Sequence, residues 1–221
     1  MSSEVEIQQM SLIKGYWDKT FSPSNPFTDS TLGIAFSGWA DPDKALSDSA
    51  QIKDMLVGDK YISLGGGNAN GSFNQQILNS IITHINNGNF SDYKGIAFDI
   101  EEGEANLTSL FQQAFAAAKT KNLKVLVTTS HSAPYGIPDA QTMMKTFIDD
   151  GNIDYVSPQL YTSGTETQND FTTSQGVSWE DYARSKAAIV PSIVQVNLYD
   201  DAKNQFSQHG VTTSGFIQWE N

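Results

Sequence analysis

The sequence predicts an α/β fold of the compact (β/α)8, or TIM-barrel, kind, and three observations predict it. Eight short apolar, β-branched runs recur at intervals of roughly 20 to 35 residues. Several of the stretches between them carry an apolar stripe at helical spacing. The length of 221 residues lies at the short end of what eight βα units need. A doubly wound open sheet with fewer strands is the alternative. No linker interrupts the pattern, so residues 1–221 are expected to form one domain.

The runs are Leu12–Trp17, Leu32–Phe36, Tyr61–Leu64, Gly95–Ile100, Lys124–Thr129, Ile153–Tyr161, Ala188–Val196 and Ser214–Trp219. Phe73, Ile77, Ile81 and Ile85 repeat every fourth residue and predict a helix after the third run. Leu107, Leu110, Phe111, Ala114, Phe115 and Ala118 predict another after the fourth. A shorter stripe of Met143, Met144, Phe147 and Ile148 follows Pro138-Asp139, a helix start. Weaker helical patterns lie around Leu46–Leu56, Trp179–Ala188 and Ala202–Phe206. Asp18–Thr31 holds two prolines and is too short for a full first helix, while nothing follows the eighth run. The first and last helices are therefore expected to be short or missing, with residues 1–11 covering part of the gap.

Charge and composition exclude several functions. The chain has 13 Lys and Arg against 25 Asp and Glu, a formal charge of −12, so no phosphate-backbone partner is expected. Zero cysteines remove disulfides, zinc–thiolate sites and thiol nucleophiles. His84, His131 and His209 stand on separate elements without metal-ligand spacing, so neither metal nor cofactor is expected. No apolar run reaches the roughly 20 residues that span a bilayer, and residues 1–11 show no secretory pattern. The expected location is cytoplasmic, or secreted if a leader was removed.

The fourth run carries the chemistry. Alternation along Gly95-Ile-Ala-Phe-Asp-Ile-Glu sends Ile96, Phe98 and Ile100 toward the helices. Gly95, Ala97, Asp99 and Glu101 then face the barrel interior. Two carboxyls at i and i+2 on an otherwise apolar inner face are costly to bury. Crowding and loss of water both raise a carboxyl pKa, as a general acid requires. On spacing alone, a solvated strand end leading into a helix explains them equally well.

This segment resembles the fourth-strand D-G-x-D-x-D-x-E signature of glycoside hydrolase family 18, which includes chitinases and endo-β-N-acetylglucosaminidases. Other runs match in order: Tyr16-Trp17 at the end of the first, Ala35-Phe36 in the second and Ser63-Leu64-Gly65-Gly66 in the third. Gln159-Leu160-Tyr161 in the sixth resembles Q-x-Y, and Trp219 falls at the place of the family's eighth-strand tryptophan. The resemblance implies a (β/α)8 barrel and a retaining, substrate-assisted hydrolysis of β-1,4-linked N-acetylglucosamine in chitin oligomers or an N-glycan core. It implies Glu101 as the acid, Asp99 as the group orienting the substrate acetamide, and Tyr161 as a hydrogen-bond donor to the acetamide oxygen. Trp219 would lie under the sugar ring, with Tyr16, Ser63, Gln159 and Ala97 as further substrate-side positions.

The family's first and middle motif aspartates are replaced by Lys94 and Ala97, and Thr162 follows Tyr161 where relatives carry Asp or Asn. With Ala97 in place, Ser63 is the expected inner partner of Asp99. The departures leave a second reading, a lectin-like carbohydrate-binding protein on the same barrel, and a third, a storage protein with a vestigial site. About 26 residues separate the starts of runs seven and eight, room for one helix and no cleft-deepening insertion. An open groove and a monomer follow, with His131, Tyr135, Asn197 and Tyr199 as rim contacts.

Overall fold

The computed structural model describes residues 12–24 and 28–220, and they build a closed parallel barrel of eight strands. The strands are β1 (Ile13–Lys19), β2 (Leu32–Phe36), β3 (Asp59–Gly65), β4 (Gly95–Ile100), β5 (Lys124–Ser130), β6 (Tyr155–Gln159), β7 in two pieces (Ala188–Ile189 and Ser192–Ile193) and β8 (Gly215–Gln218). Each pairs in parallel with its neighbour in sequence, and β8 returns to β1 in the register Ile13↔Gly215 through Tyr16↔Gln218. That last pairing closes the cylinder and excludes the open sheet.

The seventh run is broken because Pro191 brings no N–H to the ladder. Its carbonyl still accepts from Ile217 N at 3.0 Å, and Val190 N donates to the Val156 carbonyl at 2.9 Å. The wall stays continuous through the interruption.

Among the described residues, five α-helices lie outside the strands: α1 (Pro42–Ser49), α2 (Gln75–Asn86), α3 (Thr108–Thr120), α4 (Ala140–Ile148) and α5 (Tyr199–Gln208). Asp41 caps α1 through Lys44 N, with Pro42 in the first helical turn, where a missing N–H costs nothing. Asn74 caps α2 by accepting from Ile77 N at 2.8 Å. Phe73 therefore precedes the helix, and the buried stripe is Leu78, Ile81 and Ile85 rather than the four-residue repeat read from sequence. Phe73 is buried all the same, 4.9 Å from the Phe111 ring on α3.

The pattern around Trp179–Ala188 yields only a 3-10 turn, Glu180–Arg184. Side chains do the covering there instead. Trp179 Nε1 donates to the Phe171 carbonyl at 2.8 Å, and the Tyr182 hydroxyl to the Ser132 carbonyl at 2.5 Å. No helix stands between β1 and β2 among the described residues, while residues 1–11 and Asn221 lie outside them. No described helix is long and apolar enough to cross a membrane.

Strand alternation divides the core. Ile96, Phe98 and Ile100 join the shell between sheet and helices, with Phe111, Phe115 and Phe147. Trp17, Leu32, Ile34, Phe36, Tyr61, Ala97, Leu126 and Ile217 fill the lumen. The lumen is thus packed mainly by apolar side chains from below, with a few buried hydroxyls such as Ser63, Ser157 and Ser192 among them, and the carboxyls stand at its carboxyl-terminal mouth.

One link between helices depends on pH. His84 on α2 is 2.8 Å from Asp43 on α1 through Nε2, and its Nδ1 meets the Ser80 carbonyl at 2.7 Å. Partial burial disfavours the imidazolium, but Asp43 and the Ser80 carbonyl outweigh it and the His84 pKa rises. A histidine raised on folding contributes stability that is whole below its unfolded pKa and lost as pH rises through the folded one. The difference in melting temperature between wild type and Asp43→Asn should therefore be largest near pH 5.5 and shrink by pH 8.5, as scanning calorimetry would show.

Candidate active site

The carboxyl end of β4 places Asp99 inside the mouth with 2% of its surface exposed. Parallel register sets Thr128 opposite Asp99, and Gln159 opposite Ser130. Gln159 can thus reach both neighbours: its Nε2 donates to Asp99 Oδ1 at 3.2 Å and to Thr128 Oγ1 at 3.1 Å. Glu101 follows one residue beyond the strand, on the same side and half-buried. Its carboxyl shares a hydrogen bond with that of Asp99.

Burial pushes the Asp99 pKa far up, and both the Glu101 charge and the shared hydrogen bond push it further, against a smaller pull from Gln159. Burial also raises Glu101; the hydrogen bond from Asp99 works against it, and the Glu102 charge adds to it. Two like charges this close cannot both form without a large penalty, so the pair holds a proton into the range where isolated carboxyls have lost theirs.

The glycines after β3 let the chain approach. Gly65 has φ +104°, and a Cβ there would lie 2.2 Å from the Asp99 carbonyl oxygen. At Gly67 a Cβ would come within 3.2 Å of Glu101 Oε1, so the loop forms a close wall beside the acid.

Tyr161 and Trp219 stand together across the mouth, ring centroids 5.9 Å apart. Trp219 also meets Phe36 at 5.4 Å and Trp17 at 6.1 Å, with Lys19 Nζ 4.2 Å from its centroid. The Tyr161 hydroxyl is buried and meets no hydrogen-bond partner. Burial raises its pKa well above the usual tyrosine value, the Asp99 and Glu101 charges add to that, and Ser192 opposes weakly. The phenol stays neutral and borders the cavity that Asp99 and Glu101 line. Leaving such a group unpaired costs about 1–3 kcal/mol.

Two adjoining cavities share these residues. One, of about 220 Å³, is lined by Phe21, Phe36, Asp99, Glu101, Tyr161 and Trp219. The other, of about 280 Å³, is lined by Glu101, Ser130, His131, Tyr135 and Tyr161. Gln159 and Thr162 border both, and Glu101 sits at the junction.

Five sequence expectations need correction. Tyr16 is not at the mouth: it points outward and packs on Ile52 and Leu56, its hydroxyl accepting from Val57 N at 2.8 Å. Period-two alternation gives the inward place to Trp17, whose Nε1 donates to Ser192 Oγ at 3.1 Å. Ser63 is not the partner of Asp99. It lies level with Ala97, two residues deeper, and its buried hydroxyl has no partner; Gln159 takes that role. Ala97 itself belongs to the apolar lumen packing beneath the acids. Tyr199 is not at the rim either, because its ring packs on Phe216 and its hydroxyl meets Thr213 Oγ1 at 3.0 Å. His131 and Tyr135 do line the second cavity, and Asn197 lines a separate one beside Glu166. Thr128, Phe21 and Phe36 were missed as site residues; strand parity alone would have pointed to Thr128 and Phe36.

No protein-family model matches the chain, and no curated protein matches it in sequence. Among solved structures, the catalytic domain of a hyperthermophilic chitinase from Pyrococcus furiosus is similar at 14% identity and a TM-score of 0.52, over 95% of this chain and 84% of that one. The spore cortex-lytic enzyme SleL of Bacillus megaterium QM B1551 is similar at 13% identity and a TM-score of 0.48, over 82% of this chain and 50% of that one. A chitinase from Chromobacterium violaceum ATCC 12472 follows at 12% identity and a TM-score of 0.47, over 82% of this chain and 68% of that one. What the likeness shows is the barrel. The matched region spans half the length of the SleL chain.

The geometry supports a proton donor at the junction of two cavities, a buried second carboxyl behind it, and an aromatic wall opposite. The coupling of the two acids is directly measurable. In Glu101→Gln, Asp99 loses its charged neighbour, so its carboxyl should titrate at lower pH than in wild type, read from side-chain carboxyl ¹³C shifts. An unmoved Asp99 resonance would mean the two groups are not coupled.

Proposed function

We propose that this protein is a retaining glycosidase of the chitinase or endo-β-N-acetylglucosaminidase kind, acting on β-1,4-linked N-acetylglucosamine. The observation that carries the reading is the buried Asp99 and the adjacent Glu101 opening together onto a cavity walled by Tyr161 and Trp219. The barrel shared with the chitinase catalytic domain from Pyrococcus furiosus supports it, as does the motif order along the chain.

In this reading Glu101 protonates the glycosidic oxygen, and the acetamide oxygen of the substrate attacks the anomeric carbon to give an oxazolinium ion. The one proton the pair holds is on Glu101 when it acts, and Asp99, held by Gln159, is the carboxylate that accepts a hydrogen bond from the acetamide N–H and balances the charge of the cation. The Tyr161 hydroxyl supplies its unmet bond to the acetamide oxygen. Glu101, now a carboxylate, takes a proton from the water that opens the ring, which restores the starting state. Trp219 and Phe36 offer apolar faces to the sugar. Neither metal nor cofactor enters this scheme, and the substrate is an oligosaccharide or glycan bound by a monomer of one domain.

Ala97 favours a second reading, because Asp99 has an apolar methyl beneath it where a third carboxyl would hold it for turnover. A lectin-like protein would bind the same glycan without cleaving it.

Pure protein should release fluorophore from an N-acetylchitooligosaccharide glycoside. Activity should fall on the alkaline side as pH passes the raised Glu101 pKa, since the acid must carry its proton. Glu101→Gln should lose turnover by about 10²- to 10⁴-fold. Glycan binding by calorimetry that survives Glu101→Gln but not Trp219→Ala, with no hydrolysis by wild type, would establish the lectin-like reading instead.

A further inference from the structure

The connection after β6 holds an internal anion that neither the motifs nor the mechanism uses. Glu166 turns its carboxylate back into the loop that precedes it. Oε2 accepts from Thr162 N at 2.7 Å, while Oε1 accepts from Ser163 N at 2.8 Å, Gly164 N at 3.0 Å and, more weakly, Thr165 N at 3.4 Å. The Ser163 hydroxyl donates to the same oxygen. Four consecutive main-chain amides therefore converge on one carboxylate, the arrangement by which backbone nests bind anions. Each bond is charge-assisted, and neutral turns have no equivalent. Burial works against the Glu166 charge, but the Ser163 hydroxyl and these amides more than offset it and hold the carboxyl below its usual range.

What the clamp holds is a wall of the cleft. Gly164 is buried against Trp219 at φ +85°, and a Cβ there would lie 2.4 Å from Trp219 Nε1. Thr162 and Ser163 line the cavity that contains Asp99 and Glu101. Thr165, Glu166 and Thr167 line a separate cavity of about 300 Å³ on the other side, with Gln195 and Asn197. The segment is a partition between the two, one face on the acids and the other on this outer recess. Its far end is fastened independently: Asp170 N donates to the Leu160 carbonyl at 2.8 Å, and the Thr162 hydroxyl reaches Asp170 Oδ2 at 3.4 Å.

We infer that Glu166 is a positioning residue for the sugar site, holding residues 162–165 as a fixed wall against Trp219. It does not touch the reacting atoms. The inference rests on the glycosidase reading only for the nature of what the wall faces. Since Asp99 and Glu101 are set by strands and by Gln159, loss of the clamp should weaken substrate binding and leave the chemical step nearly intact.

Amide hydrogen exchange, followed by NMR on the free protein, tests the clamp without substrate. Thr162, Ser163 and Gly164 should exchange about tenfold faster or more in Glu166→Ala than in wild type. Formate should slow them again by filling the vacated nest, and Glu166→Gln, which keeps an acceptor oxygen, should lie between. Exchange unchanged in Glu166→Ala, or indifferent to formate, would overturn the clamp. For the site, KM toward an N-acetylchitooligosaccharide glycoside should rise about tenfold in Glu166→Ala with kcat within about twofold, and formate should restore it. Gly164→Ala, which pushes the wall off Trp219, should raise KM with no rescue by formate. Equal KM in wild type and Glu166→Ala would remove Glu166 from the site. If wild type neither cleaves nor binds the glycan, the glycosidase reading falls, while the exchange measurement still decides the clamp.

Discussion

Asp99 and Glu101 leave one strand two residues apart and on the same side, so neither can ionise without meeting the other. Water would relieve that repulsion, but the barrel mouth admits little of it. The structure answers with pKa values raised by burial, with an amide from Gln159 on Asp99, and with exposure of Glu101 to two cavities. Strand order matters here because β5 sets Thr128 opposite Asp99 and β6, beside it, sets Gln159 opposite Ser130, from where its amide reaches both Asp99 and Thr128. An open sheet with β6 elsewhere would leave Asp99 buried without its only side-chain amide among the described residues.

The lower lumen makes the upper polar layer tolerable. Trp17, Ile34, Tyr61, Leu126 and Ile217 close the barrel below the acids, with the hydroxyls of Ser63, Ser157 and Ser192 among them. Burial on this largely apolar base raises the proton affinity of both carboxyls. Small residues on β4 share in this. Gly95 and Ala97 leave the space that Tyr61 and its neighbours fill, which is the packing counterpart of having no third carboxyl.

Much of this was legible from pattern alone. Seven of the eight strand runs appear within a few residues of their predicted bounds, and the facing of Ile96, Phe98, Asp99 and Glu101 follows from a period of two. The α3 and α4 stripes were read correctly for the same reason, with many apolar residues on one face. Failures came where an element is set by something other than its own periodicity. Phe73 sits in step with α2 yet lies outside it, because Asn74 caps the helix. Around Trp179 the turn is held by hydrogen bonds to Phe171 and Ser132, segments distant in sequence. Tyr16 was placed by adjacency to a motif, although the parity that served β4 assigns the mouth to Trp17.

The sequence by itself determined the barrel, the strand that carries the acids, and the side of that strand on which they stand. Those properties are written in alternation and spacing, which the backbone geometry enforces locally. Only the tertiary structure decided who meets whom: Gln159 rather than Ser63 beside Asp99, Trp17 rather than Tyr16 inside, and Glu166 folded into the wall beside Trp219. Such partners depend on relative height in neighbouring strands and on the path of loops, and a shift of two residues moves a side chain by about 7 Å along its strand. Pattern fixes a side chain's face, while closure of the cylinder fixes its depth and its neighbour.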